Sequence, residues 1–390
     1  MKRSFPTKDG SSSEILSKRK VGEFLSSISV TPIQKYCGEC PYFREPAEFG
    51  HFSLDGKRDF HNNASQLRYY VPPMNTHNLS FDLRKGYDTC ILKDEEIQER
   101  LTHLLTWIKK NRQKFQLNNQ SKSDDKSKDR RLNTDFISWR GHFTKFLCTP
   151  YEKREPWKIA AALFNGTIFL SEVETEKAKK DRLHRSPRHH EMCYWGYKFE
   201  DYTTQPVAEK KDEEDDNIVN TNEAYCSVVR TRLNKHSILI GAEVDCCLKN
   251  NSRKPPANYI ELKTTRIMYN FKQKANFARY KLLKFWAQSF LAGIPKIVVG
   301  MRNDDGVVSQ ITSYETLNIP HVSKQYSNEW DASVCMNFLD ALLTWLKEVV
   351  TQEGPDIVYM IHFEYPFEKI SIKLVDDGSE RFLPDWFVSV

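Results

Sequence analysis

Acidic residues interrupt two apolar stretches within residues 238–266. Glu243 and Asp245 stand two residues apart in the first stretch, and Glu261 and Lys263 stand two residues apart in the second. Carboxylates inside apolar strands are costly to bury unless a cation neutralises them. Three carboxylates beside one lysine therefore indicate a site for phosphoryl chemistry with Mg²⁺ or Mn²⁺, which prefer hard oxygen ligands. The alternative that these residues leave open is an ordinary solvated face of a sheet.

Both stretches are predicted to be strands, and a loop joins them. Strict alternation places five residues of the first strand on one face: Ile238, Ile240, Ala242, Val244 and Cys246. Glu243 and Asp245 take the other face. In the second strand, Glu261 and Lys263 share the face opposite to Leu262. Each strand is thus expected to direct its charged residues to one side.

Helices and strands follow one another along the rest of the chain, and no long linker divides them. The periodicity predicts helices at 93–115, 157–164, 276–291 and 332–350. It predicts further strands at 166–173, 194–202, 224–230, 296–301, 307–314, 357–363 and 370–374. The first helix is expected to bury Ile97 and Leu104 on one stripe, and residues 30–92 are expected to be irregular. These elements predict a single α+β domain.

The composition is typical of a soluble globular protein, with 390 residues of which 39% are hydrophobic and 28% charged. Neither a membrane span nor a secretory leader is expected, because no apolar run is long enough and none follows Met1. Residues 1–20 are predicted to be a disordered tail, and their basic run at 17–20 is a candidate nuclear-import signal. Residues 21–390 are predicted to form one catalytic domain with flexible loops at 117–131 and 207–218.

Five short motifs occur in order along the chain: WRG at 139–141, GYKFE at 196–200, GAEVD at 241–245, IELK at 260–263 and KFWAQSF at 284–290. Together they resemble the motifs of the DXO family of RNA 5′-end decapping and pyrophosphohydrolase enzymes, to which the fungal nuclear Rai-type proteins belong. The similarity extends from about Phe52 to the C-terminal FLPDWFV. It implies two mixed β-sheets flanked by helices, with an active-site pocket between the sheets and a D…ExK metal core.

The resemblance also implies roles for individual residues. The implied metal ligands are Glu200, Asp245, Glu261 and the backbone carbonyl of Leu262, with Glu243 binding through water or holding a second ion. Arg140 is expected to hold a substrate phosphate, Lys263 to face the scissile phosphate, and Gln288 to orient phosphate or water. Thinner local matches imply further substrate contacts from Arg58, Glu99, Trp139, Gly141 and Cys226.

The function that the resemblance implies is metal-dependent hydrolysis of RNA 5′ ends in the nucleus. The substrates would be 5′-triphosphate, incompletely capped and NAD-capped RNAs, in 5′-end quality control together with a 5′-to-3′ exoribonuclease. One alternative is a mainly non-catalytic subunit that stabilises that exoribonuclease, and another is a DNA nuclease with the same D…ExK core. For the enzyme, replacing Glu261 or Asp245 by Ala is expected to abolish turnover and to leave the fold intact.

Overall fold

The computed structural model describes residues 24–116, 131–207, 218–249, 252–354 and 356–389. The predicted tail at 1–20 and most of the predicted loops at 117–131 and 207–218 lie outside these ranges. The expectations of disorder and flexibility there therefore stay predictions.

The strands of the described residues are short except for β2 and β10. In chain order they are β1 Phe24–Ser29, β2 Phe43–Leu54, β3 Phe60–His61, β4 Arg68–Tyr70, β5 His77–Asp82, β6 Phe136–Trp139, β7 Trp157–Phe164, β8 Thr167–Val173, β9 Thr204–Pro206, β10 Ala224–Leu233, β11 His236–Glu243, β12 Cys246–Cys247, β13 Tyr259–Arg266, β14 Lys296–Arg302, β15 Val307–Glu315, β16 Val358–Phe363 and β17 Lys369–Val375.

The helices lie between and after these strands. They are α1 Thr102–Lys110, α2 Arg140–Cys148, α3 Glu176–Leu183, α4 Pro187–Thr203, α5 Phe271–Asn276, α6 Leu283–Ala292, α7 Ile319–Lys324, α8 Ala332–Val349 and α9 Asp385–Val388. A π-helical segment, Phe277–Leu282, joins α5 to α6. Within the described ranges, every helix is too short or too polar to cross a bilayer.

The strands form two mixed sheets, as predicted. The first sheet has ten strands in the order β1-β17-β16-β7-β8-β6-β11-β10-β2-β3, and β6 runs parallel to both of its neighbours. The second has seven strands in the order β5-β15-β14-β13-β12-β4-β9, and β13 is parallel to β14. The other pairs, apart from β4 with β12, are antiparallel.

Helices cover both sheets and link them. Helices α2, α6 and α8 share one core cluster with residues of both sheets, such as Ile240 of the first and Val299 of the second. Helices α1 and α9 pack on the other face of the first sheet. Helix α4 packs on the second sheet, where Phe199 lies so close to Gly300 that an added Cβ there would be 2.6 Å from its ring. The predicted α+β class is confirmed.

The segment predicted as a helix at 157–164 is strand β7. Ile159 and Ala161 join the cluster that links the sheets, whereas Ala160 and Ala162 join the cluster under α1. A strand that is buried on both faces is apolar at nearly every position, so the alternation that marks a strand disappears. The prediction was wrong for that reason.

The segment predicted as a strand at 194–202 belongs to α4. The Ser186 side chain accepts a hydrogen bond from the backbone N–H of His189, and Pro187 occupies the first helical position, which together form a standard helix start. Trp195 and Phe199, four residues apart, are buried on one side of this helix. The Ser-Pro pair was a readable signal that the alternation of the following residues obscured.

Two element boundaries also differ from the predictions. Helix α1 begins at Thr102 rather than near residue 93, so Ile97 precedes it and is 62% exposed instead of buried. Residues 30–92 are not irregular, since they contain β2, β3, β4 and β5. Strand β2 pairs with β10, far along the chain, and local patterns carry little information about such long-range pairing.

Candidate active site

The chain crosses from the first sheet to the second at its acidic segment. Strand β11 ends at Glu243 in the first sheet, and β12 begins at Cys246 in the second, with Asp245 between them. The single strand predicted over this segment is therefore two strands of different sheets. Glu261 lies on β13, the neighbour of β12, and Glu200 lies near the end of α4. Carboxylates from both sheets and one helix thus meet where the sheets adjoin.

The raised pKa values of Glu200 and Asp245 indicate that the carboxyl groups lie close to one another. Burial raises the pKa of Glu200 well above its ordinary value, and the charges of Asp245 and Glu243 raise it further. The pKa of Asp245 is raised to about 7, first by burial and then by Glu261. Like charges this close oppose ionisation, so the cluster favours the presence of a cation.

Glu261 is in the opposite situation because two cations neutralise it. Its carboxylate is fully buried, and its two oxygens accept hydrogen bonds from Arg140 Nη1 at 2.7 Å and from Lys263 Nζ at 2.6 Å. Burial alone would raise the pKa of Glu261, but the attraction of Arg140 and Lys263 outweighs burial and lowers it to about 2. Glu261 is therefore ionised at neutral pH.

The backbone of β13 contributes the N–H and C=O groups of Leu262, which are not paired with β12, to this cluster. The backbone N–H of Leu262 donates to Asp245 Oδ2 at 2.6 Å. Strand β12 pairs only with Tyr259 and Ile260, so β13 has no strand partner on this side at Leu262. The N–H and C=O of one strand residue point to the same side, which directs the Leu262 carbonyl toward Asp245. This arrangement agrees with the ligand role that the resemblance implied.

Arg58 and Glu99 form a second charged group beside the carboxylates. Arg58 has a positive φ of 71°, and its Nε and Nη2 donate to the two Glu99 oxygens at 2.8 Å each. The carboxylate of Glu243 also stabilises the charge of Arg58. Cys226 faces Glu243 across the β10–β11 pair, and burial followed by the charge of Glu243 raises the pKa of its thiol. The structure therefore brings Arg58, Glu99 and Cys226 to the predicted site.

The contacts of Trp139, Gly141 and Gln288 give less indication of a role at the site. Trp139 ends β6, and its Nε1 donates to the backbone carbonyl of Arg100 at 2.7 Å, so its ring is held in place. An added Cβ at Gly141 would meet nothing within 4 Å, so no steric reason for a glycine is evident there. Gln288 is half-buried on α6, which packs on α2 and β11, and its side chain bonds to no described residue.

Tyr197 belongs to the GYKFE motif but was not among the predicted site residues. It lies on α4 and is 38% exposed. Burial and the charges of Glu243 and Glu200 raise the pKa of its hydroxyl, so the ring borders the carboxylate cluster. Residues two apart point to opposite sides of a helix. Once the segment is recognised as a helix, Tyr197 is therefore expected to point away from the side that buries Trp195 and Phe199.

The carboxylate cluster fits a divalent cation by its chemistry. Its donors are all oxygens, and the mutual repulsion that raises the pKa of Glu200 and Asp245 is what a doubly charged ion would offset. Across the ranges described, however, no three Asp, Glu, His or Cys side chains form a ready-made metal cluster. Both oxygens of Glu261 are instead engaged by Arg140 and Lys263.

Comparison with known proteins identifies the family. The model described as "RAI1 like PD-(D/E)XK nuclease" matches residues 44–388, a range that contains every site residue above. The chain belongs to this family. The resemblance inferred from the five motifs is confirmed.

Similar proteins agree with this membership in the RAI1-like family. The human protein named "Decapping and exoribonuclease protein" is 42% identical over 358 residues, which cover 90% of this chain and 87% of that protein. A Neurospora crassa protein named "Decapping nuclease RAI1" is 34% identical over 84% of this chain and 79% of its own length. The crystal structure of Scheffersomyces stipitis Rai1 with (3'-NADP)+ and a calcium ion superposes with a TM-score of 0.77 at 25% identity, covering 90% of this chain and 95% of that one.

Proposed function

We propose that this chain is a divalent-metal-dependent hydrolase of RNA 5′ ends. The observation that carries the proposal is the buried cluster at the sheet junction, in which Glu261 is held between Arg140 and Lys263 beside Asp245. Decapping activity in the names of two relatives supports the same reaction class. The substrates that we propose are RNAs with a 5′ triphosphate, an incomplete cap or an NAD cap.

The acidic residues would hold Mg²⁺ or Mn²⁺ through Glu200, Asp245, Glu261 and the Leu262 carbonyl, with Glu243 nearby. A bound divalent ion lowers the pKa of a water ligand and neutralises charge on phosphoryl oxygens.

Lys263 and Arg140 act as permanent positive charges. Burial would lower the pKa of Lys263, but Glu261 and Asp245 outweigh burial and raise it. Lys263 is therefore a cation at neutral pH in the metal-free protein. Arg140 uses one nitrogen on Glu261, which leaves further N–H groups for phosphate oxygens. Both charges stand where an attacked phosphorus accumulates negative charge.

Arg58 and Glu99 suit a different part of the substrate. The guanidinium is already bound at both Glu99 oxygens and at the Asn222 carbonyl, which fixes its orientation. A preordered cation next to Glu243 would position a second phosphate or a ribose without itself taking part in bond cleavage. Tyr197, exposed at the same edge, offers a ring on which a base would stack.

We further propose that the protein acts in the nucleus and associates with a 5′-to-3′ exoribonuclease, which would degrade the RNA whose 5′ end has been opened. The basic run at 17–20 and the family resemblance support this part of the proposal. The competing hypothesis, a mainly non-catalytic stabilising subunit, is disfavoured by a site that retains its carboxylates, Lys263 and Arg140 together.

The test is product analysis with the purified chain alone on RNAs that carry a triphosphate, an unmethylated cap, a complete cap or an NAD cap. Each RNA is incubated with Mg²⁺, with Mn²⁺ or with EDTA. We expect pyrophosphate or cap release with a metal and none with EDTA, and a loss of about 10²- to 10³-fold in Lys263→Ala. Absence of product from every RNA would exclude the hydrolase and favour the stabilising subunit.

A further inference from the structure

A second cavity opens at the carboxyl end of the strand that carries Glu261 and Lys263. It has a volume of about 370 Å³, and Ile267 and Met268, which directly follow β13, form part of its wall. We call it the β13-end cavity. Its size is that of a site for a small organic group, and none of the catalytic residues assigned above lines it.

The sheet face of the catalytic strand continues into this cavity. Across three neighbouring strands, Lys263 pairs with Val299, which pairs with Thr312. Residues paired in this way point to the same face of a sheet. Thr312 lines the cavity, as does Gln310 in the next row along the strands. Since neighbouring strands are roughly 4.8 Å apart, Thr312 on β15 lies about 10 Å from the backbone of β13.

The cavity wall has free hydrogen-bonding groups. Gln310, Thr312 and Tyr314 are half-buried on β15 and line the cavity. The side chains of these three residues make no hydrogen bond to any residue that the structure describes. An amide and two hydroxyls on one strand face supply both donors and acceptors, which is what the edge of a nucleobase requires.

Aromatic rings border the same space. Tyr326 lines the cavity, and Phe271, which is 65% exposed, lies 6.3 Å from it between ring centroids. Phe277 and Tyr314 form a second ring contact at 6.2 Å. Surfaces of this kind stack on the bases of single-stranded nucleic acid.

Two lysines without acidic partners accompany the rings. Lys274 lies over the Tyr326 ring at 6.0 Å, and Lys281 Nζ donates to Thr265 Oγ1 at 3.1 Å. Neither lysine forms an ion pair within the described part of the chain. Arg302, which is also a cation, lies close enough to act on the charge of Lys281. Thr265 is two residues beyond Lys263 on the same face, so Lys281 contacts the catalytic strand directly.

An unusual helix connects the cavity to the catalytic region. Phe277 and Leu282, at the two ends of the π-helical segment, line the cavity, and Lys281 lies within the segment. The same helix continues as α6, which carries Gln288. π-helical turns are rare and occur frequently at functional sites, because they displace side chains from regular positions.

We propose that the β13-end cavity binds one base of the single-stranded RNA that follows the reactive 5′ phosphates. Tyr326 stacks on the base, Gln310 and Thr312 bind its edge, and Lys281 contacts the phosphate on the way from the metal site. This subsite rests on the proposed function, since it names where the RNA body lies. It makes the enzyme sensitive to RNA length and single-strandedness, and not only to the chemistry of the 5′ end.

The test is a length series of 5′-triphosphate RNAs from a dinucleotide to an octanucleotide, with kcat/KM measured for each. For the wild type we expect kcat/KM to rise roughly tenfold once the strand reaches the cavity, as base stacking on a tyrosine implies. Tyr326→Leu and Lys281→Gln should lose most of this rise. The matched variants Tyr326→Phe and Lys281→Arg, which keep the ring and the charge, should retain it. An octanucleotide in a blunt hairpin should behave like the dinucleotide.

A binding titration separates this proposal from the function on which it rests. Fluorescence anisotropy with a labelled octanucleotide needs no turnover, and Lys281→Gln is an exposed change that leaves the core untouched. Weaker binding by Lys281→Gln and Tyr326→Leu, but not by their matched variants, supports the subsite even if no RNA is hydrolysed. A kcat/KM that is independent of RNA length, or equal binding by all variants, would overturn the proposed subsite. If the RNAs are still hydrolysed in that case, the proposed function stands.

Discussion

Two isosteric substitutions in the carboxylate cluster should have opposite effects on stability although both abolish turnover. Asp245→Asn removes a charge that the fold opposes, since burial and Glu261 raise the Asp245 pKa to about 7. Asparagine keeps an oxygen for the hydrogen bond from Leu262. Glu261→Gln removes a charge that the fold requires, because this carboxylate neutralises Arg140 and Lys263.

The magnitudes follow from these contacts. A folded pKa of about 7 against an ordinary value of 3.8 makes ionised Asp245 cost about 4 kcal/mol in the metal-free protein at pH 8. Between about pH 4 and pH 7, Asp245 is protonated in the folded state but ionised in the unfolded state. The free energy of unfolding therefore falls as the pH rises through this range. At pH 5 the cost is about 1–2 kcal/mol. Leaving Arg140 and Lys263 without Glu261 costs about 3–5 kcal/mol at either pH.

The assay is urea unfolding of the wild type and both variants at pH 5 and pH 8, in EDTA. Asp245→Asn should be more stable than the wild type, and its advantage should grow by about 2–3 kcal/mol from pH 5 to pH 8. Glu261→Gln should be less stable at both. Adding Mn²⁺ should stabilise the wild type most, because both variants lack a ligand. The earlier expectation that loss of either carboxylate leaves the fold intact thus applies to Asp245 and is revised for Glu261.

If Asp245→Asn were less stable than the wild type at pH 8, this reasoning would be refuted, since the ionised Asp245 carboxylate would then stabilise the fold. Equal stability of Glu261→Gln and the wild type would show that Arg140 and Lys263 find other partners. Lys347→Gln, which removes a surface ion pair with Asp135 far from the cluster, serves as a control and should change stability by less than about 1 kcal/mol.

Three further outcomes are expected. Burial lowers the His142 pKa to about 4, so stability should fall by up to about 3 kcal/mol as pH drops from 6.5 to 4, and His142→Gln should flatten that decline in urea titrations. Gly300→Ala should lower the thermal midpoint because its Cβ would clash with Phe199, whereas Gly196→Ala, which meets open space on α4, should raise stability by up to about 1 kcal/mol. Arg58→Lys should raise KM with kcat little changed in steady-state assays, because it loses the bidentate contact; an unchanged KM would exclude a binding role.

The limits of local pattern are clearest at Glu200 and β7. The GYKFE motif was recognisable, but its residues alternate in a way that suits a strand, and apart from the Ser-Pro start it is packing on the second sheet that reveals the helix. Strand β7 was misread because helices and sheets bury both of its faces. In each segment the pattern depends on what covers the element, and the covering residues are remote in sequence.

The sequence by itself indicated the family, because five motifs occur in the family's order, and that resemblance implied the two mixed sheets. It also predicted that Glu261 and Lys263 share a face, because the period of a strand places them there whatever surrounds them. Only the tertiary structure decided their charge states and partners. Arg140 reaches Glu261 across 121 residues, and Asp245 and Glu261 end with pKa values displaced in opposite directions. Burial and Coulomb interactions depend on distances in space, which the spacing of residues along the chain does not contain.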